Sequence, residues 1–109
     1  MCGSLLMHLP DLLGAVRRIR AVCRHQAIIS TASTADSATN PAALCEFAGL
    51  RGSDEDYWHY WNTSAAALRK MALAAGFSRV EWEDHFTLST EPGRDANHHT
   101  PHVVISTLI

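Results

Sequence analysis

Long apolar runs are missing from this chain of 109 residues. None approaches the roughly 20 residues that a membrane-spanning helix needs, so no membrane span is expected. The stretch from Leu5 to Leu13 is apolar, but Asp11 interrupts it and no basic segment precedes it. That pattern excludes an ordinary signal peptide. Cysteine is scarce: Cys2, Cys23 and Cys45 are odd in number and widely spaced. This excludes a disulfide framework and a CxxC metal site, and fits the free thiols of a cytoplasmic protein. Charge is nearly balanced, at a formal −2, which removes any general pull towards nucleic acid or acidic membranes. Internal repeats are also lacking. What remains is a chain 47% hydrophobic, the composition of one globular domain over residues 1–109.

The spacing of apolar residues divides that domain. Leu12, Val16, Ile19 and Cys23 recur at steps of four, three and four, which predicts a helix over 11–24 with one buried face. Pro10 suits its first turn, and Arg17, Arg20 and Arg24 fall on another face near its C-terminal end. The run Ala27-Ile28-Ile29 within Gln26 to Thr31 predicts a buried parallel strand. Residues 30–40 are small and polar, as in a loop. Asn40-Pro41 can start a short helix that Gly49 would stop. Residues 32–62 then form a lid-like insert carrying the acidic cluster Asp54-Glu55-Asp56 and the aromatic cluster Tyr57-Trp58-His59-Tyr60-Trp61.

Beyond the insert, Leu68, Met71, Ala72 and Ala75 predict a second helix, capped by Asn62, Thr63 or Ser64 and ended by Gly76. Val80 and Trp82 alternate with Arg79, Glu81 and Glu83 as in a half-exposed strand, which Phe86 to Ser89 can prolong. A polar connection over 91–101 leads to the β-forming stretch from His102 to Ile109. The last two strands are expected to form an antiparallel hairpin.

Two local patterns carry a family resemblance. One is Ser4-Leu5-Leu6-Met7-His8-Leu9-Pro10-Asp11, an apolar run leading into His, Pro, Asp and a helix. The other is Trp61, then Leu68-Arg69-Lys70-Met71-Ala72-Leu73-Ala74-Ala75-Gly76-Phe77, then Val80-Glu81. With the terminal hairpin after them, they resemble the second half of the class I S-adenosylmethionine-dependent methyltransferases, over nearly the whole chain. The resemblance implies an α/β fold, a partial Rossmann-like class I methyltransferase fold from the end of strand 4 to strand 7. Met1 to Met7 would end the fourth strand. Gln26 to Thr31 would be the fifth, Arg79 to Glu83 the sixth and His102 to Leu108 the seventh, with flanking helices. It also implies S-adenosylmethionine as cofactor and a small-molecule methyl acceptor. Ser4, Leu6 and Met7 would lie on the cofactor side, His8 would be the catalytic residue, and Tyr57 and Trp61 would line the acceptor side.

The family's glycine-rich cofactor loop has no counterpart, since no GxG occurs in the chain. Such glycines let backbone approach the ligand at a helix N-terminus. The 109 residues alone are therefore expected to be a truncated member, inactive unless a missing N-terminal half or a partner completes them. An internal Met1 is one form of this expectation. A second class of function is a non-catalytic interaction module, completing a partner's sheet or regulating a full-length relative, and a third is a gene remnant. An unpaired edge on the fifth-strand side would favour self-association.

Each candidate residue has a plainer alternative. His8 would sit at the C-terminal end of a parallel strand, where open α/β sheets place ligands, and a neutral imidazole there suits proton acceptance. The alternative is a hydrogen bond within its own loop. The aromatic cluster either closes over a substrate or packs the insert onto the sheet, with packing favoured for Trp58 or Trp61. His98, His99 and His102 form an HHxxH group that can hold zinc, yet only Asp95 is near enough to add a ligand, so no metal site is expected. The arginines from Arg17 to Arg24 fit a solvated helix face better than an RNA-binding one, and nucleic acid is not an expected partner.

Overall fold

The computed structural model describes residues 1–3, 5–47, 60–89 and 99–109. Helix α1, Leu12–Val22, starts where the Asp11 side chain accepts a hydrogen bond from the Gly14 amide at 2.9 Å. A Cβ on Gly14 would lie 2.1 Å from the Asp11 carboxylate, so a side chain there would require that carboxylate to shift. Strand β1, Gln26–Ala32, follows. Two short strands, β2 (Cys45–Phe47) and β3 (Trp61–Thr63), pair antiparallel as a separate ladder. Helix α2, Ala65–Ala75, is capped by Ser64 and ended by Gly76 in the left-handed region, at φ 109°. Strands β4, Arg79–Ser89, and β5, His99–Leu108, close the chain.

The main sheet has the order β1-β5-β4, with β5 antiparallel to both neighbours. Ile29 opposes Ile105 on one side of β5, and Phe86 opposes His102 on the other. This corrects the expected partial Rossmann-like fold with a parallel strand: the three-stranded sheet described is antiparallel. One parallel contact exists, an isolated bridge between Cys2 and Ile29. The Cys2 amide donates to Ile28 O and its carbonyl accepts from Ser30 N, both at 2.9 Å. The bridge does not grow into a strand because the backbone has left the extended region by Leu5 (φ −103°, ψ −40°), ahead of a 3-10 turn over Leu6–His8. A parallel ladder needs successive extended residues on both chains.

Two further expectations change. No helix starts at Asn40-Pro41; the Asn40 side chain accepts from Ala42 N at 2.9 Å, a local turn, and the chain runs on into β2. The β1 edge is met in part: the Cys2 bridge uses Ile28 O and Ser30 N, and the 3-10 turn and β3 come near the strand without pairing with it. The outer edge of the sheet, among the described residues, is β4.

Packing is one-sided. Leu12, Ala15 and Val16 of α1 and Ala65, Leu68 and Ala72 of α2 share one buried cluster with Ala27, Ile29, Val103 and Ile105 of the sheet. Strand residues alternate between faces, so both helices cover the same face. On the opposite face, Gln26 donates to Ser106 Oγ at 2.6 Å and to the Glu81 carboxylate at 3.3 Å, spanning all three strands. Nearer the outer edge, Trp82, Phe86 and Leu88 remain 45%, 42% and 45% exposed.

Ser64 ties the insert to this core. Its hydroxyl accepts from Ala67 N at 3.2 Å and Leu44 N at 2.9 Å, and donates to Ala42 O at 2.9 Å. Ser64→Ala is expected to lower stability by about 1–2 kcal/mol, the ordinary worth of a lost N-cap. Urea denaturation checks this, and an unchanged midpoint would contradict the role given to Ser64.

Candidate functional site

The structure places the sequence-derived site residues at two adjoining elements. The bridge at Cys2 runs parallel to β1, so the 3-10 turn over Leu6–His8 follows towards the C-terminal end of that strand. Leu6 and Met7 are buried, at 1% and 2% exposure, with Leu6 inside the main core. His8 is half-buried. The turn meets β3 through a hydrogen bond from Tyr60 N to Met7 O at 2.6 Å. Trp61 then donates its indole N–H to Pro10 O at 3.1 Å. The segments assigned to cofactor and acceptor are thus neighbours. Ser4 and Tyr57 lie outside the described residues, as do Trp58 and the acidic cluster at 54–56.

Trp61 has packing work as well. Its ring meets Phe47 edge-on at 5.3 Å, and it borders a cavity of about 200 Å³ with Pro10, Leu12, Cys45 and Met71. That cavity is smaller than the roughly 300–1,000 Å³ typical of sites for drug-sized ligands.

A second cavity, about 220 Å³, opens where the loop after β1 passes the far ends of β4 and β5. Ser33, Thr34, Ser37, His85, Phe86 and His102 contribute to its wall. Ser37 Oγ and His85 Nε2 share a hydrogen bond at 3.1 Å. Glu83, which also pairs with Arg69, lies 3.8 Å from the same His85 nitrogen. A serine–histidine–acid relay needs the acid on the other ring nitrogen, where it holds the tautomer that accepts the serine proton. Here both groups converge on Nε2, and the Ser37 amide is already bonded to Thr34 O at 3.1 Å. The arrangement positions the loop; it does not form a nucleophile relay. Ser37 and His85 stand 48 positions apart in unrelated segments, so no local pattern announces their contact.

His102 is buried beneath Phe86, with ring centroids 5.1 Å apart, and its Nδ1 lies 3.0 Å from Thr100 O. His98 lies outside the described residues. Among the described residues no group of three histidine, cysteine, aspartate or glutamate side chains could hold a metal ion. No described helix is long and apolar enough to cross a membrane.

Two thiols are electrostatically quiet. Burial pushes the Cys2 thiol up, against the opposing pull of the terminal amine. Partial desolvation also raises Cys45, although the residue stays exposed at the surface. Thiolate is the reactive form, so a raised pKa leaves less of it at neutral pH. Iodoacetamide labelling followed by peptide mass spectrometry should find Cys2 and Cys45 reacting more slowly than free cysteine at neutral pH, with rates climbing in alkaline buffer. Rates equal to free cysteine at neutral pH would contradict this.

Comparison with protein families, with curated proteins and with solved structures finds no match in any of the three.

Proposed function

We propose that this chain supplies the acceptor-side part of an S-adenosylmethionine-dependent methyltransferase, with a small molecule as acceptor, and that the glycine-rich cofactor segment comes from outside these 109 residues. The reading rests on the sequence resemblance, and the observation that supports it is the Tyr60–Met7 hydrogen bond. That bond brings the segment holding Leu6, Met7 and His8 against the one holding Trp61. Methyl transfer is an in-line displacement, and protein groups contribute mainly by holding the two reactants in line. A shared rim of cofactor-side and acceptor-side residues is what such positioning needs. His8 is the residue to accept the acceptor's proton, and Trp61 the ring to wall its apolar part.

A specific observation favours a second reading, a non-catalytic interaction module. One face of the sheet has no helix on it among the described residues, and exposed Trp82, Phe86 and Leu88 stand along its outer strand. Exposed aromatics grouped on one face mark a contact surface.

Titration of S-adenosylhomocysteine into isotopically labelled protein separates the two readings. Methyl transfer predicts amide shifts confined to Leu6–Leu9 and Tyr60–Asn62, weak because the cofactor segment is absent. Calorimetry on the same sample gives the stoichiometry. Shifts at none of these amides in a folded sample would remove the methyl-transfer reading and leave the module.

A further inference from the structure

Two of the three cysteines meet at one place in the fold. The parallel bridge sets Cys2 beside Ile29, and residues paired side by side in a sheet project to the same face. Ile29 belongs to the buried cluster under the helices, so the Cys2 side chain lies on the helix-bearing face. Cys23 reaches that place from the other side. It ends α1 with extended backbone (φ −86°, ψ 136°), its N–H donating to Arg20 O at 3.3 Å. Both thiols are free, and both residues pack half-buried against the cluster. With Ile19, Val22 and Ala27 they line a cavity of about 280 Å³ at the start of β1. Cys45 is elsewhere, on the wall of the cavity that Trp61 borders.

We infer that Cys2 and Cys23 form a modification site, a pair of thiols that a small disulfide of the glutathione class converts reversibly into one bridge across this cavity. One cysteine thiolate attacks a glutathione sulfur and expels a glutathione thiolate, which takes up a proton. The second cysteine thiolate attacks the protein sulfur of that mixed disulfide and expels the second glutathione. Two protein thiols become one disulfide, and the glutathione disulfide is reduced to two thiols. A disulfide needs Cα atoms within about 7 Å. The cavity gives room for that approach. Among the described residues, 1–3 pair with the sheet through the Cys2 bridge alone, and Cys23 stands one residue past α1, so both ends can close on it. Burial keeps more of the Cys2 thiol protonated, so exchange is slow at neutral pH and faster in alkaline buffer. The closed bridge ties residues 2–23 into one covalent loop that contains the 3-10 turn and α1. His8 lies within that loop, so oxidation fixes the turn of the candidate site to the end of the first helix. The inference goes beyond both functional readings and holds whether or not the chain transfers methyl groups.

Peptide mapping after exposure to oxidised glutathione tests it. Reduced protein is incubated in mildly alkaline buffer, quenched with acid, alkylated and digested with trypsin. Arg17, Arg20 and Arg24 place Cys2 and Cys23 on separate tryptic peptides. The folded wild-type chain should yield these two peptides joined, with Cys45 carrying glutathione. In urea the two thiols lose their shared cavity, and the ratio of bridge to glutathione adduct at Cys2 and Cys23 should fall about tenfold, as their effective concentration drops. Cys23→Ser should leave Cys2 as a glutathione adduct, and Cys2→Ser should leave Cys23 as one. Reduced glutathione in excess should reopen the bridge. Adducts at both Cys2 and Cys23 without a link in the folded chain, a link from either one to Cys45 instead, or a bridge-to-adduct ratio unchanged in urea would each overturn the inference.

Discussion

Every described element is arranged around a sheet that has helices on one face only. The buried cluster joins α1 and α2 to Ala27, Ile29, Val103 and Ile105, and the apolar driving force for folding is concentrated there. A three-stranded sheet covered on a single side can reach a stable core only if that side is densely filled. The alanines of α2 serve this need. Ala65 and Ala72 let the helix lie close to the sheet, and Leu68 fills the space between them. On the other face the chain substitutes polar contacts across the strands, with Gln26 bridging Ser106 and Glu81. Ser30, His102 and Ser106 are buried on that second face too, and exposure is concentrated at its outer strand, at Trp82, Phe86 and Leu88.

Much of the local structure was legible in the sequence because it depends on neighbours in the chain. The four-three-four spacing from Leu12 to Cys23 marked α1, which runs from Leu12 to Val22. Gly76 marked the left-handed stop of α2, and the cap fell to Ser64, one of three candidates the sequence offered at 62–64. The antiparallel pairing of β4 with β5 follows from two strand-like segments joined by a polar connection. The parallel character expected for residues 26–31 was not legible. An apolar run such as Ala27-Ile28-Ile29 is equally suited to a buried strand in either orientation. Orientation was decided by β5, about 80 residues downstream, whose Ile105 and Val103 match the burial of Ile29 and Thr31. The Asn40-Pro41 segment misled for a related reason. Its cap signal is real, but Ser64 captures Ala42 O and Leu44 N, and the chain is drawn into β2.

The candidate site was legible in pieces. The sequence singled out Leu6, Met7, His8 and Trp61 in two separate stretches, and the chain places those stretches side by side. Burial of Leu6 and Met7 was less apparent, because an apolar pair in a short segment suits a ligand wall and a core equally well. The contact between Ser37 and His85 was invisible. A serine in a small polar loop and a histidine in a strand carry no shared spacing.

The central position of β5 also sets a schedule for synthesis. Strand β1 leaves the ribosome long before the strand that pairs with it, because residues 33–98 must be made first. At about 5–20 residues per second, that interval lasts on the order of several seconds. During it the apolar groups of β1 have only the segment at Cys2 and the first helix to shelter them. A chain built this way passes its most aggregation-prone period half made, with its central strand still to come.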